Sequence, residues 1–135
     1  MQNLIYALIQ VVHNFGAATV VGSAAAALWL ARGNAVVQHR LAVLAAIGWA
    51  VQGASGATFG ITTYSFEGHL PDIHGVAVVA LLIKMACAAV GFVVAVVYTR
   101  RGLQWSPETR LFVWLGLFAL AFIALSAAAF LRWFS

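Results

Sequence analysis

The chain has 135 residues, 64% of them hydrophobic and 7% charged, with a formal charge of +4. Soluble domains carry about 25% charged residues, and one of about 150 residues still leaves roughly 30% of its unfolded surface exposed. This composition therefore excludes a soluble globular domain and makes lipid the solvent. The basic charge does not point to nucleic acid, because no cationic tract is interleaved with aromatics and five of the six arginines lie near the ends of apolar runs. The single cysteine, Cys87, cannot form an internal disulfide and reads as a small packing residue.

Four apolar runs, Leu4–Leu30, Leu41–Ile61, Ile73–Tyr98 and Leu111–Leu131, are each long enough for a hydrocarbon core that needs about 20 helical residues. The first has no basic leader, and its length exceeds the roughly 7–15 apolar residues of a signal peptide, so it reads as a span. The connection 31–40 carries Arg32, Gly33-Asn34 and Arg40. The connection 62–72 carries Glu67, His69, Pro71 and Asp72 but neither Lys nor Arg. The connection 99–110 carries Arg100, Arg101 and Arg110, with Ser106-Pro107-Glu108 forming a helix-start signal. Short connections predict one domain over 1–135, an all-α integral membrane protein built as an up-down-up-down bundle of four transmembrane helices. The arginine asymmetry predicts both termini outside and both basic connections in the cytoplasm.

Aromatics fit interfacial belts: Tyr6, Tyr64 and Trp133 at the outer level, and Trp29, Tyr98 and Trp105 at the inner. Trp49 and Trp114 lie deeper and read as packing residues. Gly16, Gly48, Gly53, Gly56, Gly60 and Gly91 mark surfaces where helices can approach closely, with Gly56 and Gly60 at GxxxG spacing. They have two readings: packing alone, or a slot left open for a flat cofactor.

The polar centre is found by counting depth. At helical rise, His13 lies about 14 Å below the start of its run, Gln52 about 14 Å from the outer end of the second, and Lys84 about 16 Å into the third. Three spans thus place their most polar residue at one level. Gln10 and Ala17 can share a side with His13, and Gln52 a side with Gly48, Ser55, Gly56 and Phe59. The fourth span offers only Ser126. An ionisable group at this depth is a functional-site candidate. His13 is either a haem or metal ligand, or a neutral imidazole bonded to Gln52 or a backbone carbonyl. Lys84 has no Asp or Glu in any span to neutralise it. Its amine is either uncharged or faces a non-protein anion, such as a haem propionate or an acidic substrate. Gln52 and Asn14 read as interhelical hydrogen-bonding amides. A bis-histidine haem is disfavoured, since His39 lies at a span end and His74 sits about 12 Å shallower than His13. His69, His74, Glu67 and Asp72 form a loose outer cluster that reads as a solvated loop rather than a metal site.

Three segments carry a resemblance: Val12-His13-Asn14-Phe15-Gly16, the stretch from Leu44 through Gly48, Gln52 and Ser55 to Gly56, and Leu81-Leu82-Ile83-Lys84-Met85. Over the first three spans the chain resembles a group of small bacterial membrane proteins, which includes the HemJ-type protoporphyrinogen oxidases and the CopD-like copper-resistance domains. The resemblance implies a b-type haem with His13 as iron ligand and Lys84 as second ligand or charge partner. The leading expectation is therefore a haem-b membrane protein with a redox or electron-transfer role in the outer half of the bilayer. Its pocket would hold His13, Asn14, Gln52 and Lys84, and a quinone or porphyrin would be its partner. An oxidoreductase is the enzymatic form of that expectation. The competing expectations are a cofactor-free accessory subunit of a membrane complex and a small transporter working as a homo-oligomer.

Overall fold

The computed structural model describes residues 1–69 and 71–134. Helix α1 spans Gln2–Ala25 and runs on through a π-helical turn, Ala26–Leu30. Helix α2 spans Ala35–Glu67, α3 Val76–Arg101 and α4 Pro107–Phe134; a 3₁₀ turn, Gly102–Gln104, lies between the last two. All four helices are long and apolar enough to cross a membrane, and there are no strands among the described residues. This is an all-α four-helix membrane bundle. Neighbours in sequence pack side by side, and α4 returns to close on α1. Large apolar side chains such as Phe15, Trp29, Leu30 and Phe112 point outward. In water that surface would drive aggregation; against acyl chains it costs nothing.

The helices overrun the expected spans. Helix α2 has 33 residues, about 50 Å at helical rise against a core of about 30 Å, so it is longer than an upright crossing needs. It starts early because Asn34 caps it, the side-chain oxygen accepting from the Val37 N–H at 3.0 Å. Arg40, expected in a connection, is therefore helical, and His39 lies in the first turns of the same helix. The helix stops at Gly68, whose φ of +75° is a left-handed cap that other residues rarely adopt. Helix α3 starts three residues later than expected, which leaves His74 outside it. Ser106 does cap α4, accepting from the Thr109 N–H at 3.2 Å.

One buried apolar cluster holds the bundle together, and it lies toward the arginine-bearing end. Val20, Ala24 and Leu28 of α1 meet Ala42, Ala45 and Trp49 of α2, Cys87, Ala95 and Tyr98 of α3, and Trp114, Leu117 and Ala121 of α4. Trp49 and Trp114 are packing residues, as expected. Tyr98 does not face outward; it is fully buried and donates to Gln38 Oε1 at 3.0 Å, while Gln38 Nε2 donates to the Ala27 carbonyl at 3.3 Å. Three glycines allow this closeness. A Cβ at Gly48 would lie 2.9 Å from Val20 Cγ2, one at Gly16 would lie 2.8 Å from Val51 Cγ1, and one at Gly91 would lie 2.7 Å from Trp49 Cδ2. By contrast Gly53, Gly56 and Gly60 have nothing within 4 Å of such a Cβ. The Gly56–Gly60 pair, expected as a packing motif, lies open.

Candidate functional site

Three helices deliver polar side chains to one level, as the depth count predicts. His13 comes from α1, Gln52 and Ser55 from α2, and Lys84 from α3. His13 and Ser55 are buried and Lys84 is half-buried. His13 Nδ1 lies 2.7 Å from Ser55 Oγ, and His13 Nε2 lies 2.9 Å from Lys84 Nζ. Gln52 Nε2 donates to the His13 backbone carbonyl rather than to the ring. Phe59 presents its ring edge-on to the imidazole, with centroids 6.0 Å apart, and stacks on Tyr6, whose hydroxyl bonds Thr63 Oγ1 at 2.9 Å. Tyr6 thus belongs to the wall of the site as well as to the outer level.

Donors and acceptors fix the direction of this chain. Ser55 has a single O–H, which it gives to the Val51 carbonyl in a close contact one turn back on α2. Its oxygen can then only accept from His13, so Nδ1 carries the hydrogen and Nε2 presents its lone pair to Lys84. The order is Lys84 N–H to His13 Nε2, His13 Nδ1–H to Ser55 Oγ, and Ser55 O–H to Val51 O. No carboxylate pairs with Lys84 among the described residues; the ion pairs there are Glu67 with His69 and Asp72 with His74, both in the exposed connection between α2 and α3. Two nitrogen bases in direct contact can share one added proton. Two protons would set cationic donors against each other at 2.9 Å, where low dielectric makes like-charge repulsion severe. The pair can therefore pass one proton between amine and imidazole without moving a heavy atom.

Asn14 is not in this pocket. It is exposed on α1 and accepts from Gln10 Nε2 at 2.7 Å. At about 100° per residue it points roughly a quarter-turn away from His13, and Gln10 is turned far enough to leave the buried face with it. Ser126 of α4 returns its hydroxyl to the Phe122 carbonyl and takes no part. In the connection between α2 and α3, no group of three or more His, Cys, Asp or Glu side chains is placed to hold a metal among the described residues. Ser55 is the partner that sequence reasoning missed, although its place three residues after Gln52, on the His13-facing side, was visible.

The donor chemistry of His13 fits a haem iron, because a hydroxyl that holds Nδ1–H leaves Nε2 as the ligating nitrogen. The closed geometry does not fit, since Lys84 sits on that nitrogen. Lys84 meets His13 with one of its donors, 2.9 Å from Nε2.

Fold and site together define a multi-pass helical membrane protein with a mid-bundle cluster of ionisable and hydrogen-bonding side chains. No family model, curated protein or solved structure matches the chain.

Proposed function

We propose that this chain is a proton-handling membrane protein. Its His13–Lys84 pair takes up and releases one proton deep in the bilayer, in exchange with a small anionic or proton-coupled ligand. The observation that carries this reading is the 2.9 Å contact between the two nitrogen bases with no carboxylate beside them. Such intramembrane groups are costly, and they recur in proton relays and substrate paths. Gly53, Gly56 and Gly60 leave the α2 surface bare within two turns of Ser55, the side from which the proposed ligand would approach. The residues divide the work: Ser55 fixes the imidazole tautomer, Gln52 ties α2 to the α1 backbone at the same level, and Lys84 exchanges the proton with Nε2. The arginines at one end, Arg32, Arg40, Arg100, Arg101 and Arg110, favour an orientation with that end cytoplasmic and both termini outside.

The test is nitrogen-15 NMR of the imidazole in lipid nanodiscs, scanned from about pH 4 to pH 10 to cover ordinary His and Lys titration. Nε2 is expected to change protonation within that range, and Lys84→Met to displace the transition. An imidazole that keeps one form throughout, in both proteins, would sink the proposal.

A second reading is a b-type haem bound through Nε2, favoured by the tautomer that Ser55 imposes. It requires Lys84 to leave the ring. Purification from haem-replete cells separates the two, because a Soret band lost in His13→Ala supports haem and colourless protein supports the proton reading.

A further inference from the structure

At the arginine-bearing end a cavity of about 280 Å³ opens between the α1–α2 connection and the start of α4. Arg32, Gly33, Gln38, Pro107, Glu108, Arg110 and Leu111 line it. Arg110 is only 8% exposed. Its Nη1 donates to the Trp105 carbonyl at 2.6 Å, its Nε is buried with no acceptor, and no carboxylate pairs with it among the described residues. A guanidinium offers five donors in a planar fork and is permanently charged. Burying it this way leaves the Nε–H without an acceptor, and Glu108, the carboxylate that shares the lining, offsets the charge without forming a salt bridge to it.

The surroundings indicate which acceptor fits. Arg32 adds a second, exposed guanidinium to the cavity wall. Helix α4 begins there, its positive dipole end already met by the Ser106 oxygen and the Glu108 carboxylate. The Gln38 side chain keeps one N–H beyond the one given to Ala27. Glu108 is the opposing charge in the lining, and it leaves the cavity net positive. The volume lies just below the range of about 300–1,000 Å³ for drug-sized ligands, so the guest is compact. The fork geometry of the buried guanidinium matches tetrahedral oxyanions.

We infer that this cavity binds a phosphate group, with Arg110 as the buried anchor and Arg32 as the outer clamp. The site is separate from the His13–Lys84 pair and does not depend on the reading given to it. A phospholipid headgroup and a soluble phosphate carry the same chemistry, and a basic pocket between helices at headgroup level suits the former.

Calorimetric titration of the detergent-solubilised full chain with short-chain phosphatidylglycerol, short-chain phosphatidylcholine and inorganic phosphate tests the inference. Because Arg110 is buried, the variants are the exposed pair Arg32→Gln and Glu108→Gln. Arg32→Gln is expected to weaken binding about fivefold and Glu108→Gln to tighten it by a similar factor. Binding of phosphatidylglycerol alone with these shifts identifies a lipid headgroup, and binding of inorganic phosphate with the same shifts identifies the phosphate group itself. No binding of either probe, or binding that neither variant changes, would overturn the site. So would equal affinity for phosphatidylcholine and phosphatidylglycerol when phosphate does not bind.

Discussion

Removing His13 and Lys84 singly and together asks how much the two side chains depend on each other. His13→Leu leaves the Lys84 amine without its acceptor. Lys84 is half-buried in the bundle at mid-span, so a proton left on it alone is poorly solvated. An uncompensated buried charge costs about 3–5 kcal/mol. Lys84→Met leaves the neutral Nε2 without a donor, at about 1–3 kcal/mol. In the double variant neither group is left over, so its loss falls well short of the sum. The size of the coupling is informative. Neutral interhelical hydrogen bonds in membranes average about 0.6 kcal/mol and reach about 1.7. A coupling of about 2 kcal/mol or more therefore requires a proton held on the pair. Unfolding by sodium dodecyl sulfate in mixed micelles, followed by the fluorescence of the buried Trp49 and Trp114, gives the four free energies. Additivity within about 0.3 kcal/mol would refute the pairing, since uncoupled sites add to that precision.

The contrast between filled and open glycines predicts opposite outcomes on two helices. Gly91→Ala drives a methyl into the Trp49 indole and is expected to cost about 1–3 kcal/mol in the same assay. Gly56→Ala meets nothing and should stay within about 0.5 kcal/mol of wild type; a large loss there would mean that the open face is packed in the membrane. Ser55→Ala removes the acceptor that fixes Nδ1–H. It is expected to cost about 1–3 kcal/mol and to give mixed tautomers in the nitrogen-15 spectrum, whereas an unchanged single tautomer would contradict the assigned direction. In a Cys87→Ser background, Asp72→Cys should react with an impermeant thiol reagent from outside intact cells and Arg100→Cys should not; the reverse pattern would invert the topology.

The spans and the level of the site were legible because a bilayer imposes a length on apolar runs and a penalty on anything polar within them. His13, Gln52 and Lys84 stood out for that reason, and helical rise placed them together from three separate helices. Helical phase was less readable. Asn14 is as polar as Gln52 and at nearly the same depth as His13, yet it faces outward, because one residue along a helix is about 100° around it. The lysine's partner was hidden for another reason. The expectation was an uncharged Lys84 amine or an anion beside it, but a neutral imidazole with its lone pair exposed is also an acceptor, and only the Ser55 contact shows which nitrogen offers it. Tyr98 was assigned to the inner interface by position along the chain; the cap at Asn34 starts α2 early, and so brings Gln38 into the bundle to meet Tyr98.

The two ends of the bundle therefore differ in what they do physically. Toward the arginines, glycine and alanine let Trp49, Tyr98 and Trp114 interlock, and dense packing resists displacement. Toward Glu67 and Asp72, the glycines of α2 face open space, and the contacts between helices include specific hydrogen bonds such as Tyr6 to Thr63. His13 and Lys84 sit at the junction between the two. A pair placed in the dense half would be locked and unreachable; one placed at the outer rim would be solvated and would titrate like any surface group. At the junction its geometry is held by packing on the arginine-bearing side, and the proposed proton exchange requires a path on the side where the α2 glycines are bare. A change that closes the open face, such as a bulky side chain at Gly56, should leave stability largely intact and slow proton exchange at His13. A change that loosens the dense half, such as Gly91→Ala, should do the reverse. Finding the same kinetic effect from both would mean that the two halves do not divide these roles.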